Sequence, residues 1–372
     1  MDKIVTIERL AFGGEGVGRV DGKVVFVPLT VPGDRVKVRI VSDHRRYERG
    51  ELIEVLTASQ DRTTPRCAVF GQCGGCQWQH ISYAKQLVAK EEILRDTLQR
   101  LAQCDGFELL PIIPSEPVWN YRNRIQLKNN GRQIGFYGSG NHRIIPFDHC
   151  DIAHPSLNKE LKTLQQEPQK LGEKFELWVN AQGHTEYLNL PDGERTFSQV
   201  NPAQNERMKQ ELLHFVFGRA NAVFTRKKNI VELYAGSGNL TFSLAERAGQ
   251  VVAVEENQAA IEQLEADCLE QKLHNVECVP GTAEWGLKKI YRRRTSIDDL
   301  VIDPPRGGAK DILDLILIAK PRRVIYISCD PSTLARDIKV LSRDYRLEKV
   351  QPIDMFPQTY HIESISELVR RV

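Results

Sequence analysis

Along the first 57 residues, apolar and polar positions alternate in short runs broken by turn residues. KVVFVPL and RVKVRIV follow a period of two, and Gly13-Gly14, Asp21-Gly22 and Pro32-Gly33-Asp34 punctuate the runs. The pattern predicts five short strands forming a small barrel over residues 1–57. ASQDRTTPR, residues 58–66, reads as a linker. From Ser82 to Leu101 the period lengthens, and Leu87, Ile93, Leu94, Leu98 and Leu101 give a long helix one apolar face. Residues 117–147 return to β, with Asn130-Gly131 as a hairpin turn between two apolar-bearing runs. From about Asn229 the runs become almost wholly apolar. NIVELYA, VVAVEEN, NVECVPG, DDLVIDPP and RVIYISC are separated by helical stretches, as in a parallel, doubly wound α/β sheet. The expected organisation is a barrel (1–57), a central α+β unit (58–198) and an α/β unit (199–372). The helical segment 82–114 is expected to pack on the α/β sheet, making the central unit discontinuous.

Composition narrows the class without naming a function. Hydrophobic residues are 41% and charged residues 27% of 372, ordinary for a globular protein. No run approaches the roughly 18 apolar residues of a membrane span, and MDKIVTIERL has no signal-peptide apolar core. A cytoplasmic protein without membrane contact is expected. The net charge of +2 is silent on nucleic acid, so local patches decide. Arg35–Arg49 holds six Arg/Lys against two acids, a patch suited to phosphates or to a charge-protected strand edge. Residues 117–147 hold Arg122, Arg124, Lys128, Arg132 and Arg143 and no acid, interleaved with Trp119, Tyr121, Phe136, Tyr137 and Phe147. Cations beside stacking rings suit single-stranded or looped RNA. A basic sheet face over core aromatics is the plainer alternative.

Eight cysteines in such a chain do not suggest a disulfide framework. Cys67, Cys73 and Cys76 form C-x5-C-x2-C, and Cys150 is available as a fourth ligand. This spacing leaves zinc and an iron–sulfur cluster both open, although it is not the paired CxxC of a zinc ribbon. Cys104, Cys268 and Cys278 read as packing residues.

The first α/β strand runs into Ala235-Gly236-Ser237-Gly238-Asn239, a turn that lets a ligand approach the backbone. Glu255 ends the next strand, positioned for a ribose diol. Thr241 stands where a dinucleotide fingerprint would have its third glycine. That weakens an NAD-dependent oxidoreductase and favours S-adenosylmethionine. Asp303-Pro304-Pro305-Arg306 and Cys329 end two later strands, so they share the ligand-binding rim of the sheet. Asp330-Pro331 begins a helix beside Cys329; its dipole can stabilise a thiolate, whereas the Asp330 charge would raise the thiol unless it points away.

DPPRGG, followed fifteen residues later by VIYISCDPSTLARD, resembles the RNA uracil-C5 methyltransferases. FSQVN (197–201), ELYAGSGNLT, DMFPQTYHIE (354–363) and WNYRNR (119–124) agree, so the resemblance spans nearly the whole chain. The barrel is similar to a TRAM domain, an OB-like RNA-binding module. Asp330 stands where the family usually has Asn, and Met355 where Leu is usual. The resemblance implies a Rossmann-like methyltransferase domain. In it, Cys329 adds to C6 of uracil and Glu363 removes the C5 proton. It assigns the S-adenosylmethionine pocket to Gln199, Tyr234, Gly236, Gly238, Asn239, Glu255, Thr282 and Asp303. It implies a [4Fe–4S] cluster on Cys67, Cys73, Cys76 and Cys150. Its implied substrate is a uridine of 23S rRNA, with a tRNA T-loop uridine as the alternative, and a monomer is expected. Cytosine-C5 enzymes need a cysteine directly after the proline of the fourth-strand motif, where this chain has Arg306. A non-catalytic iron–sulfur RNA-binding protein would have no use for Cys329 and Glu363 together.

Overall fold

The computed structural model describes residues 2–180, 182–190, 199–218, 227–293 and 296–371. Strands β1 (Asp2–Leu10), β2 (Gly16–Val20), β3 (Lys23–Val27), β4 (Arg35–Asp43) and β5 (Tyr47–Thr57) close a barrel in the order β1-β2-β3-β5-β4. Its interior is filled by Val5, Ile7, Val25, Val27, Val36 and Val38, the inward half of each alternating run.

Ser82 caps α1 (Tyr83–Thr97) by accepting from the Lys85 N–H. The helix then widens into a π-turn, Leu98–Ala102. The extra residue in that turn rotates the apolar face. Ala102 is buried and Leu101, expected on the inner face, is 51% exposed. Ile93, Leu94 and Leu98 share a core with Leu334, Ile338 and Leu341 of α8 (Pro331–Leu341), so this segment packs on the α/β unit. β6 (Glu108–Leu109) extends the same association by pairing in parallel with the edge of the large sheet.

The central region is an antiparallel sheet of β7 (Arg124–Asn129), β8 (Ile134–Tyr137), β9 (Ile144–Pro146), β10 (Lys174–Val179) and β11 (Thr185–Asn189), ordered β11-β10-β7-β8-β9. Leu157 and Leu161 of α2 (Pro155–Leu164) pack on Leu127, Phe147 and Phe175. The interleaved aromatics divide between two jobs. Tyr121 and Phe147 are buried, and Phe136 stacks on Phe147 at 4.7 Å, so these three build the core. Tyr137 is exposed under the Lys128 ammonium, and Trp119 lies under Arg66.

α3 (Pro202–Phe217) leads into the α/β unit. Its strands are β12 (Asn229–Leu233), β13 (Gln250–Glu255), β14 (Val276–Pro280), β15 (Asp299–Ile302), β16 (Arg323–Ser328), β17 (Tyr345–Ile353) and β18 (Glu363–Arg370). The order β14-β13-β12-β15-β16-β18-β17-β6 is parallel from β14 to β16, and β18 runs antiparallel to both neighbours. α4 (Thr241–Ala245), α5 (Gln258–Glu270), α6 (Ala283–Arg292), α7 (Leu313–Ala319) and α8 connect the strands. Alternate residues feed opposite faces: Val324 and Tyr326 enter one core, Ile325 and Ile327 the other.

Candidate active site

The register of two strands brings the sulfur and a carboxylate together. Ile327 lies opposite Ile365 and Ser328 opposite Ser364. Continued by one step, this register sets Cys329, just past the end of β16, toward Glu363 at the start of β18, and the Glu363 charge acts on the thiol. Across the parallel pair, Ile302 lies opposite Tyr326, so Asp303 leaves β15 at the same rim. Alternation puts Asp303, Cys329 and Glu363 on the face that carries Val301, Ile325, Ile327 and Ile365.

This corner is acidic, with Glu363 buried and Asp303 and Cys329 half-buried. Glu363 is 4% exposed, and burial with the neighbouring Asp303 pushes its carboxyl well above the usual range. Burial pushes Asp303 up to about 7. Burial, then Glu363 and Asp303, push the Cys329 thiol up to about 12, against the opposing Arg306. Of the two opposing effects the sequence offers Cys329, the helix dipole and the Asp330 charge, the structure favours the one that raises the thiol. The reason is local. Asp330 Oδ1 caps α8 by accepting from the Ser332 and Thr333 N–H groups at 2.8 and 3.0 Å. The helix terminus is already paired with a carboxylate, and that acid also raises the thiol.

The loop bearing Arg306 is tied to α8. Asp337, fully buried, accepts from the Ala309 N–H and the Tyr326 hydroxyl, both at 2.7 Å. Arg336 Nη2 donates to the Gly307 carbonyl at 2.8 Å. Gly308 has φ +76°, and a Cβ there would strike Asp337 and Arg336.

On the other side of the rim, Tyr234 (φ +64°), Gly236 (φ +56°) and Gly238 (φ +96°) turn the chain sharply after β12. Glu255 accepts from the Gly236 and Asn257 N–H groups, each at 2.8 Å, so its carboxylate also holds the turn. Asn239 exchanges amide hydrogen bonds with Asn205 of α3 at 2.8 and 2.9 Å. Thr282 caps α6 by accepting from the Trp285 N–H, which occupies its hydroxyl. Gln199 is half-buried ahead of α3; Phe197 and Ser198 of FSQVN lie outside the described residues.

Sequence reasoning missed two acids here. Glu232 of β12 is buried, accepts from the Thr241 hydroxyl at 2.7 Å, and is pushed up to about 8 by burial, then by Asp303 and Glu255. Its signal was a lone charge inside the apolar run NIVELYA. Asp354 is also buried, paired with Lys90 at 2.6 Å. No local pattern links those two residues.

The four candidate ligand cysteines line one cavity of about 640 Å³, together with Arg122, Lys128, Tyr137 and Tyr360. Burial raises all four thiols, Cys76 to about 12 and Cys150 to about 11. Cys76 is near enough to the other three for their charges to raise it further. The Gly75 N–H donates to Cys73 Sγ at 3.4 Å. Among the described residues, no three His, Cys, Asp or Glu side chains converge on a site for one metal ion.

With this geometry in hand, comparison with known proteins is informative. Residues 171–371 match the tRNA (uracil-5-)-methyltransferase family, and residues 4–53 match the TRAM domain. An uncharacterized RNA methyltransferase of Bdellovibrio bacteriovorus is 35% identical over 98% of this chain and 94% of its own length. One from Thermosynechococcus vestitus is 32% identical over 97% and 96%. The solved Pyrococcus abyssi tRNA (uracil-54, C5)-methyltransferase, in complex with S-adenosyl-L-homocysteine, superposes with a TM-score of 0.71. At 22% identity over 99% of this chain and 100% of that one, it establishes the shared fold. No helix among the described residues is long and apolar enough to cross a membrane. The chain belongs to the tRNA (uracil-5-)-methyltransferase family: it is an S-adenosylmethionine-dependent RNA (uracil-5) methyltransferase with an N-terminal TRAM domain.

Proposed function

We propose that this enzyme methylates C5 of one uridine in 23S rRNA through a covalent bond between Cys329 and C6. The observation that carries the covalent route is the opposed pair Cys329 and Glu363 beside Asp303. Carbon 5 of uracil is a poor nucleophile until a thiolate adds to C6. Cys329 gives up its proton and reacts as the thiolate, while Asp303 belongs to the donor pocket. The sulfur then bonds C6, C5 gains the electron pair, and C5 takes the methyl group from the sulfonium donor. The donor leaves as S-adenosylhomocysteine, uncharged at sulfur. Glu363 removes the C5 proton, the pair re-forms the C5–C6 double bond, and the Cys329–C6 bond breaks.

The acidity of the corner fits this sequence of events. Before transfer, the donor's positive charge lowers the proton affinity of the surrounding carboxyls, so Glu363 enters the reaction ionised. After transfer that charge is gone, and burial restores the high proton affinity of Glu363 when a proton must be taken. In this reading Glu255 receives the donor's ribose, Gly236 and Gly238 admit its backbone approach, and Gln199, Tyr234, Asn239 and Thr282 complete the pocket.

Cys67, Cys73, Cys76 and Cys150 would hold a [4Fe–4S] cluster. Four thiols facing one cavity and an N–H donor on Cys73 suit such a group, and the C-x5-C-x2-C spacing is not the paired CxxC of a zinc ribbon. When bound it would supply a structural tie between residues 67–76 and the central sheet, with no part in the methyl transfer. Arg122, Lys128 and Tyr137 at the same cavity offer charge and a ring to RNA.

A tRNA T-loop uridine is the second reading, favoured by the tRNA (uracil-54) specificity named for the Pyrococcus abyssi structure. The rRNA reading rests on the TRAM-like barrel occurring with the cysteine motif. Labelled methyl donor with unmodified 23S rRNA and tRNA transcripts separates the two. RNA carrying 5-fluorouridine tests the chemistry, because fluorine cannot leave as a proton. A stable protein–RNA adduct is expected, lost in Cys329→Ala. An undiminished adduct in that variant sinks the nucleophile assignment.

A further inference from the structure

Strand β17 ends at Ile353, the register partner of Glu363. The loop Asp354–Ile362 therefore leaves and rejoins the sheet beside the proposed base. Groups distant in sequence hold this loop. Lys90 of α1, fully buried, places Nζ 2.6 Å from Asp354 Oδ1 and 3.1 Å from the Phe356 carbonyl. The Tyr83 hydroxyl donates to Asp354 Oδ2 at 2.7 Å. Gln86 accepts from the Gln358 N–H and donates to Gln358 Oε1, both at 3.0 Å. From the α3 side, Gln204 Nε2 donates to the Asp354 carbonyl at 3.0 Å. No hydrogen bond to the Glu363 carboxylate is found among the described residues: strand pairing places its backbone, and this loop flanks its side chain.

A buried ion pair adds little net stability over apolar packing of the same volume, but it admits one geometry only. The buried face of α1 carries Gln86, Ala89, Ile93 and Leu94 around Lys90, and both of its polar residues, Gln86 and Lys90, reach the 354–362 loop.

We propose that Lys90 is a positioning residue for proton removal: through Asp354 it sets how β18 presents Glu363 to C5 of the methylated base. This rests on the reading of Glu363 as the base. Cys329, Asp303 and the glycine turn lie on other elements. Loss of the pair therefore leaves methyl transfer intact and slows the step after it.

The test uses the full chain, labelled methyl donor and whichever transcript it methylates, in single turnover. Lys90→Met/Asp354→Asn removes both charges, so neither is left buried alone. Tyr83→Phe is a milder second variant, and Glu363→Gln is the reference. Label held in a denaturation-resistant protein–RNA complex is compared with label in free RNA. The expected result for the double variant is normal donor binding and a methylated adduct that resolves about tenfold more slowly than the parent's, the scale of a sub-ångström misplacement. Tyr83→Phe shifts the same ratio in the same direction. Release at the parental rate, or a proportional fall in both pools, overturns the proposal. If the double variant does not fold, Tyr83→Phe decides alone. If Glu363→Gln traps no adduct, the base assignment falls and takes this proposal with it. If that variant traps adduct and the Lys90 variants do not, the Lys90 proposal alone fails.

Discussion

Replacing Asp303 with asparagine should stabilise the ligand-free protein, and more so as pH rises. In the unfolded chain this carboxyl titrates near 3.8, and in the folded one burial holds it at about 7. Between those values the folded state keeps a proton that the unfolded state has lost. Stability therefore falls as pH rises, and the full loss is reached above about 7. Asparagine keeps the shape and removes the titration. From pH 5 to pH 8 the parent crosses about two units below its folded pKa, each worth roughly 1.4 kcal/mol. The advantage of Asp303→Asn should grow by about 2–3 kcal/mol over that range. Asp303 also raises Glu363, so its removal adds in the same direction. Denaturant melts of both proteins at pH 5 and pH 8, without methyl donor, measure the difference directly. Turnover should fall while stability rises, the trade expected where an active site holds strained charge. An advantage that stays constant with pH within about 0.5 kcal/mol, or shrinks, refutes the claim that burial of Asp303 sets its titration.

Other outcomes follow from the same geometry. Asp330→Asn keeps the cap on α8 and removes an acid beside Cys329, so melting should change by less than about 0.5 kcal/mol while alkylation of Cys329 by iodoacetamide speeds up at fixed pH. An unchanged alkylation rate would show that the Asp330 charge is screened from the sulfur. Gly308→Ala forces a side chain into the left-handed region and against Asp337, so it should lose about 1–3 kcal/mol in a denaturant melt and lower turnover by displacing Arg306. Protein purified without oxygen should be coloured, and Cys73→Ala should bleach it; a colourless parent with stoichiometric zinc would remove the cluster from the reading.

Much of the molecule can be read along the chain, because strand and helix periodicity are local properties. The barrel's inward valines and the apolar α/β strands follow from alternation and run length alone. Motif residues such as Asp303, Arg306 and Cys329 also announce themselves, since strand ends in a parallel sheet share one rim. The limits appear where a side chain's role depends on what packs over it. The aromatics of residues 117–147 look alike in sequence, yet Tyr121 and Phe147 are core and Tyr137 is exposed. Leu101 follows the helical repeat but faces solvent, because it lies within a π-turn that shifts the phase. The proton affinity of Cys329, open in either direction from its neighbours in sequence, is raised, because desolvation and two carboxyls act on it at a helix terminus already capped by Asp330.

Sequence alone determined the barrel strands, the long helix, the apolar α/β strands and which residue types carry chemistry, since those depend on neighbours within a few positions. Tertiary structure decided which of these residues meet. Only the antiparallel register of β16 and β18 sets Cys329 against Glu363, and only the packing of α1 on the α/β unit brings Lys90 to Asp354. Both contacts join distant segments, and the proton affinities at the site depend on water excluded by the whole assembly rather than on any stretch of chain.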